Sequence, residues 1–160
     1  MANPLVQELL AARLVAVLAT HDPAGFIHAV PMWFASTDEA LVLATSSRSR
    51  KVACLETDAR ATLVLHDSRA GYDVCGASIV GRVEIVRGAD AGPLVSRVHE
   101  RYVAAEAERD ASVAAYLGSD DLALLLCPDE ATVWDERASS AALALRASGG
   151  ALPLVPTDRR

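Results

Sequence analysis

Short apolar runs separated by turn-forming residues dominate the chain and predict a mainly β fold. Runs of strand length cover residues 15–20, 26–35, 40–45, 59–66 and 122–127. Residues 72–86 predict one bent strand or two, and residues 131–134 predict a closing strand after a turn at Pro128 and Asp129. Six or seven such strands with few helices between them favour an antiparallel barrel over a sheet of alternating strands and helices.

Proline and glycine mark irregular positions in these strands. Pro31 has no N–H to donate to a ladder, so we expect its strand at a sheet edge, at a bulge or at an opening that faces a ligand. Gly76 and Gly81 predict bends or bulges within residues 72–86.

Helical spacing of apolar residues covers four segments, at residues 4–14, 49–56, 90–107 and 111–117. In the third segment Leu94, Val98 and Tyr102 recur every four residues and therefore share one face. The C-terminal residues 138–160 are rich in Gly, Ser and Pro, which predicts a weakly structured tail. We expect one domain over residues 1–137, followed by this tail.

The composition narrows the functional classes. The chain has 160 residues, 52% of them hydrophobic, and a net charge of -6. An acidic chain lacks the broad basic face of a nucleic-acid binder, and no apolar run approaches the ~20 residues of a membrane span. No signal peptide is evident, so a cytoplasmic location is expected. The high apolar content favours a buried subunit interface.

Cysteine and histidine give no indication of a metal site. Cys54, Cys75 and Cys127 are too scattered for a disulfide framework or a zinc site. The four histidines share no metal-ligand spacing with one another or with the cysteines. His21 and His99 are expected at the surface.

The segment 45–51, Thr-Ser-Ser-Arg-Ser-Arg-Lys, is the clearest candidate for chemistry. It holds three cations and four hydroxyls, and Lys51 is the only lysine of the chain. It follows an apolar strand and leads into a predicted helix, where backbone N–H groups and the helix dipole favour an anion. This arrangement predicts a phosphate site. The alternative is a solvated basic turn in which Ser47 or Ser49 caps the helix.

Several motifs in chain order resemble the flavin-binding split barrels related to pyridoxamine phosphate oxidase. They are residues 15–20, residues 28–34 with Val-Pro-Met-Trp-Phe, residues 49–52 with Ser-Arg-Lys, residues 55–63, and the Gly-containing strand 74–83. The resemblance covers residues 5–105. It implies a six-stranded antiparallel split barrel with peripheral helices, and a homodimer with one cofactor per subunit at the dimer interface.

The same resemblance implies a set of cofactor-binding residues for FMN or the deazaflavin F-420. Along the cofactor ring would lie Val30, Pro31, Met32 and Trp33, and the phosphate arm would be held by Thr45, Ser46, Ser49, Arg50 and Lys51. For Trp33 an ordinary core or interface position is the alternative. The region after Trp134 departs from pyridoxamine phosphate oxidase proper, because Arg137 is its only cation, so a vitamin B6 oxidase is not expected.

The implied function is an oxidoreductase that transfers a hydride between F-420, or FMN, and a small organic acceptor. Because such a cofactor carries the chemistry, no catalytic triad is expected and no catalytic residue is assigned. The Arg- and Ala-rich composition favours F-420 over FMN. Two alternatives remain open: a non-catalytic flavin or deazaflavin carrier, and a heme-handling split barrel with His28 or His66 as the axial ligand.

Overall fold

Seven strands pair into one antiparallel sheet in the computed structural model, which describes residues 3–68, 72 and 74–150. The strands are β1 (Ala16–His21), β2 (Ile27–Met32), β3 (Ala35–Ser36), β4 (Leu41–Thr45), β5 (Arg60–Ser68), β6 (Val74–Arg87) and β7 (Leu122–Asp135). Their order across the sheet is β2-β1-β5-β6-β7-β4-β3. The sheet curls into a half-barrel with helices around it, which confirms the predicted mainly β class.

The strand count of six was wrong, because the predicted strand 26–35 is divided in two. β2 ends at Met32, and β3 begins at Ala35 on the opposite edge of the sheet. There Ala35 pairs with Val42 of β4, which makes β3 a seventh strand. The expected edge position of Pro31 is confirmed, since β2 is an outermost strand.

Two residues, Trp33 and Phe34, join the two edges of the sheet. Three Cα–Cα steps of ~3.8 Å separate Met32 from Ala35, so these Cα atoms lie at most about 11 Å apart. Such a short crossover brings β2 and β3 together, and the sheet between them has to curl. Phe34 is fully buried, which anchors the crossover in the core.

The turn predicted at Pro128 and Asp129 is absent, because β7 continues through both residues as the partner of β6. The register shifts at this point: Val80 pairs with Glu130, whereas Gly81 pairs with Pro128. Asp129 is thus the extra residue of a bulge, which accommodates a proline that cannot donate to the ladder.

The two strand glycines have different roles. Gly81 lies at the bulge, as predicted, and a Cβ there would lie 2.1 Å from the carbonyl oxygen of Cys127. Gly76 keeps a regular register instead. Its missing side chain makes room for the Trp134 ring, since a Cβ would lie 2.2 Å from Trp134 Cζ2.

In the described residues, five α-helices lie around the sheet: α1 (Pro4–Ala11), α2 (Arg50–Thr57), α3 (Ala91–Tyr102), α4 (Ala111–Leu117) and α5 (Ser140–Ala147). Short 3-10 turns occupy Gly88–Asp90 and Ala107–Arg109. The helix α1 begins where predicted because the Asn3 side chain accepts a hydrogen bond from the Leu5 N–H at 2.9 Å. Within the described part of the chain, no helix has the length and apolarity to cross a membrane.

The helix α5 lies where the sequence predicted a weakly structured tail. The Ser139 hydroxyl accepts a hydrogen bond from the Ala142 N–H at 3.2 Å, and Ala142 is buried. This cap and the helix-forming residues that follow it start a helix despite the Gly-Gly pair beyond. Residues 151–160 of the predicted tail lie outside the described residues.

The inner face of the half-barrel and the first two helices form the main core. Its buried members include Leu18, Leu43, Leu63, Leu65, Ile79, Leu124 and Leu126, with Val6 and Leu9 from α1 and Val52 and Leu55 from α2. The strand β4 is buried on both sides. Val42 and Ala44 face a second core with Val95 and Val98 of α3.

The opposite side of β1, β2, β5 and β6, here called the outer sheet face, carries exposed apolar side chains. Val17, Ile27 and Val80 are exposed, and Ile27 keeps 61% of its surface. Val17 pairs with Pro31, so these two residues point to the same side of the sheet. The outer sheet face thus carries exposed apolar side chains up to the edge strand β2, with polar residues such as His21 and Thr62 beside them.

We expect Gly81→Ala to lower the free energy of unfolding by about 1–3 kcal/mol, because its Cβ would overlap the Cys127 backbone at the bulge. Gly92→Ala in α3 is the matched control. No atom lies within 4 Å of its Cβ position, and alanine favours a helix by ~0.5–1 kcal/mol. Urea unfolding at one protein concentration measures both. Equal stability of the two variants would contradict the close backbone approach at Gly81.

Candidate functional site

A cleft of about 440 Å³ opens beside the crossover, where the two edges of the sheet meet. Its lining comes from β2 and the crossover, from the end of β4 and the start of α2, and from α3, α4 and their connection to β7. The lining residues are Val15, Pro31, Met32, Trp33, Ala44, Thr45, Ser46, Ser49, Lys51, Val98, Tyr116 and Asp120.

Seven of the nine residues predicted to bind the cofactor line this cleft: Pro31, Met32, Trp33, Thr45, Ser46, Ser49 and Lys51. The other two lie elsewhere. Val30 packs against the main core. Arg50 points away to an exposed ion pair in which its Nη2 lies 2.6 Å from Asp22 Oδ2. The predicted ring strand and phosphate loop are therefore adjacent, without the Arg50 side chain.

Lys51 and two hydroxyls form the polar end of the cleft. Lys51 Nζ donates a hydrogen bond to Thr45 Oγ1 at 3.0 Å, and Thr45 Oγ1 donates to Ser49 Oγ at 3.3 Å. Ser49 holds the N-cap position of α2, but its side chain makes no capping hydrogen bond. A cation and hydroxyl groups at a helix N-terminus are the donors that a phosphate group requires.

Asp121 fixes the loop that carries these groups. Its carboxylate accepts hydrogen bonds from the Ser47 N–H at 2.5 Å and from the Ser47 hydroxyl at 2.7 Å. The Asp121 N–H in turn donates to the Thr45 carbonyl at 3.2 Å. Ser47 thus holds the loop in place, while Ser49 occupies the N-cap position of α2 without a side-chain capping hydrogen bond.

The pair of His99 and Asp120 borders the cleft, and no motif in the sequence predicts it. Asp120 lines the cleft, and its Oδ2 lies 2.9 Å from His99 Nε2. His99 is 8% exposed, so the expectation that it lies at the surface was wrong. His99 follows Val98 in α3 and lines a pocket with Leu117 and Gly118 at the end of α4.

The surroundings of Lys51 destabilise its charged form. Burial lowers the pKa of Lys51 because it removes water from the ammonium group, and the Asp120 carboxylate opposes this shift. The site thus combines one half-buried cation with one carboxylate. A bound anion would be attracted by the Lys51 ammonium and repelled by the Asp120 carboxylate.

Aromatic rings form the apolar end of the cleft. Trp33 stacks on Tyr102, with ring centroids 5.0 Å apart and planes 2° from parallel. Tyr116 meets Trp33 edge-on at 6.1 Å. The Tyr102 hydroxyl donates to the Leu14 carbonyl at 2.5 Å, which fixes the ring beneath Trp33. The half-buried indole therefore has a rigid support and remains accessible from the cleft.

The arrangement can hold an elongated ligand with a phosphate at one end and an apolar planar group at the other. Three titratable residues, Lys51, Asp120 and Tyr116, line the cleft. The described residues contain no cluster of three or more His, Cys, Asp or Glu side chains that could hold a metal ion. His28 is half-buried and His66 exposed, and neither lines the cleft.

We expect the Lys51 ammonium to titrate below the usual pKa of a lysine side chain, because burial outweighs the attraction of Asp120. Asp120→Asn should lower this pKa further, since it removes the opposing carboxylate. Lys51 is the only lysine of the chain, so NMR of lysine-labelled protein yields a single side-chain signal to follow with pH. A Lys51 pKa at or above that of free lysine would contradict a desolvated site.

Comparisons with known proteins agree on the fold. The chain matches the family model of pyridoxamine 5'-phosphate oxidase over residues 2–125. Among curated protein sequences, none matches it significantly. A conserved hypothetical protein from Mycobacterium tuberculosis has a similar structure, with 25% identity, a TM-score of 0.70, and coverage of 91% of this chain and 89% of that one.

Two further structures share the fold at lower identity. An F420 reductase is 22% identical, with a TM-score of 0.62, over 79% of this chain and 94% of its own. The heme storage protein HutZ from Vibrio cholerae is 15% identical, with a TM-score of 0.63, over 84% and 94% of the two chains. Since the family match spans well over half of the sequence, the chain belongs to the pyridoxamine 5'-phosphate oxidase family.

Proposed function

We propose that the protein is an oxidoreductase that transfers a hydride between F-420, or FMN, and a small organic acceptor. One observation carries the proposal: a single cleft joins a hydroxyl-rich cationic loop, with Lys51 and Ser49, to a rigid aromatic surface at Trp33. The family membership and the structural likeness to an F420 reductase support it.

The residues present fit a phosphate-bearing ring cofactor. Lys51, Ser49, Ser46 and Thr45 would hold the phosphate arm, since their donors converge at the start of α2. The segment Pro31–Trp33 would lie along the ring. When bound, a reduced flavin or deazaflavin supplies the hydride, and the protein contributes position and exclusion of water. We assign no catalytic residue.

We also propose a homodimer that forms through the outer sheet face. This face is apolar and exposed at Val17, Ile27 and Val80. Its edge meets the cleft, because Pro31 is paired with Val17 and also lines the cleft, as does the exposed Val15. A second subunit on this face would wall the cleft, so each subunit's cofactor would lie at the interface.

A non-catalytic carrier of the same cofactor is the second candidate. It is favoured by the small number of titratable groups in the cleft, Lys51, Asp120 and Tyr116. Heme handling is supported by the fold of HutZ alone, and neither His28 nor His66 lines the cleft.

Separate titrations with F-420, FMN and heme test the binding step, and oxidation of reduced cofactor with a panel of conjugated acceptors separates enzyme from carrier. We expect saturable binding of F-420 or FMN and acceptor-dependent oxidation of the reduced form. Binding without turnover would favour the carrier. Binding of heme alone would overturn both.

We expect Lys51→Ala to weaken binding of the phosphate-bearing cofactor about tenfold to hundredfold, because one charge-assisted hydrogen bond contributes ~1.5–3 kcal/mol. The neighbouring Arg50→Ala is the matched control. The Arg50 side chain is exposed and paired with Asp22 outside the cleft, so its loss should change affinity less than threefold, or ~0.65 kcal/mol. Fluorescence titration measures both. An equal loss of affinity in the two variants would contradict the placement of the phosphate beside Lys51 in the cleft.

We expect Ile27→Glu to convert the dimer into monomers, because a twofold interface receives each substitution twice and buries both charges. Leu143→Glu in α5 is the control, since Leu143 is also an exposed aliphatic residue but belongs to no strand of this face. Light scattering at micromolar concentration gives the mass. A monomeric parent protein, or dissociation by Leu143→Glu alone, would overturn the proposed interface.

A further inference from the structure

A second pocket, of about 470 Å³, lies next to the cleft and shares Trp33 and Tyr116 with it. It is open to solvent and is bordered by the end of α3, the 3-10 turn Ala107–Arg109 and the helix α4. Its walls include Trp33, Tyr102, Val103, Val113, Tyr116 and Leu117. Its volume falls within the ~300–1,000 Å³ of typical small-molecule sites. We refer to it as the α4 cavity.

The α4 cavity and the cofactor cleft share two walls. Trp33 and Tyr116 line both spaces, and their rings meet edge-on at 6.1 Å. A molecule in the α4 cavity would therefore contact the same indole that borders the cleft. Tyr116 is 65% exposed, so its ring forms an open rim between the two spaces.

The lining of the α4 cavity disfavours charged ligands. Its described lining residues include no charged side chain. The Ser112 hydroxyl donates to Asp110 Oδ1 at 2.5 Å, and the Tyr102 hydroxyl donates to the Leu14 carbonyl. Among the lining side chains, the Tyr116 hydroxyl is the remaining polar group. Aromatic walls of this kind favour flat, apolar ligands.

We propose that the α4 cavity is the acceptor subsite of the reaction, and that it takes an uncharged, planar, conjugated molecule of one or two rings. The acceptor role rests on the proposed function, whereas the binding of such a molecule does not. In the reaction a C=C bond of the acceptor gains a hydride from the reduced cofactor at one carbon and a proton from water at the other. The bond becomes single, and the cofactor loses two electrons.

Binding can be tested without any cofactor, by calorimetry with two matched probes, 2-naphthol and 2-naphthoate. Both have the same fused rings, but the second carries a negative charge at neutral pH. We expect 2-naphthol to bind and 2-naphthoate to bind at least tenfold more weakly. Equal affinities, or no 2-naphthol binding up to about 1 mM, would overturn the subsite.

Two substitutions in α4 locate the probe. Val113→Glu introduces a charge into the cavity lining and should weaken 2-naphthol binding at least tenfold. Ala115→Glu adds the same charge on an exposed side of the helix and should change the affinity for 2-naphthol less than twofold. Val113→Phe fills the cavity without charge and should also weaken binding, even if the Glu variant fails to fold. Unchanged binding in a folded Val113 variant, or equal loss with Ala115→Glu, would overturn the location.

The acceptor role has its own readout. In cofactor-dependent turnover, Val113→Phe should raise KM for an uncharged conjugated acceptor at least fivefold and change kcat less than twofold. The affinity of this variant for F-420 or FMN should match that of the parent protein. If 2-naphthol binds at the α4 cavity but neither cofactor binds, the proposed function is overturned and the aromatic site is supported. An unchanged KM would overturn the acceptor role.

Discussion

The crossover Trp33–Phe34 is the constraint on which the remaining structure depends. It joins the opposite edges of a seven-stranded sheet with two residues, so the sheet has to curl until the edges meet. Neighbouring side chains of an extended segment point in opposite directions. Phe34 enters the core, where the Arg101 guanidinium lies 4.8 Å from its ring centroid, and Arg101 also donates to the Leu10 carbonyl at the end of α1. Trp33 faces the cleft. One dipeptide thus closes the fold and supplies the site's main aromatic surface.

Electrostatics in the cleft depend on two adjacent carboxylates with different roles. Asp121 binds Ser47 and holds the cationic loop in place, whereas Asp120 lies in the cleft and pairs with His99. The anion site proposed for this acidic chain with one lysine depends on Asp121 being engaged by the loop and Asp120 by His99. The net charge of the chain gives no information about this balance, which depends on the position of each carboxylate.

Much of the fold could be predicted from local patterns, and the errors have physical causes. Strand runs, the edge position of Pro31 and the bulge at Gly81 follow from rules that act within a few residues. The split of residues 26–35 and the continuous β7 depend on pairing partners far along the chain, which no local pattern contains. In the site, the loop residues were evident from composition. Tyr116 and Asp120 were missed because α4 and its connection to β7 reach the cleft only through tertiary packing.

The segment between α3 and β7, residues 103–121, contributes no strand to the half-barrel. Most of its side chains are exposed, and Leu117 is its buried apolar anchor. It enters from the end of one helix and leaves into the first residue of a strand, so its length and composition can change without altering any strand pairing. Loop lengthening of this kind costs little conformational free energy, ~0.6 kcal/mol per doubling. Residues 103–119 of this segment can therefore vary in length and composition, while Asp121 at its end continues to hold the phosphate loop through Ser47.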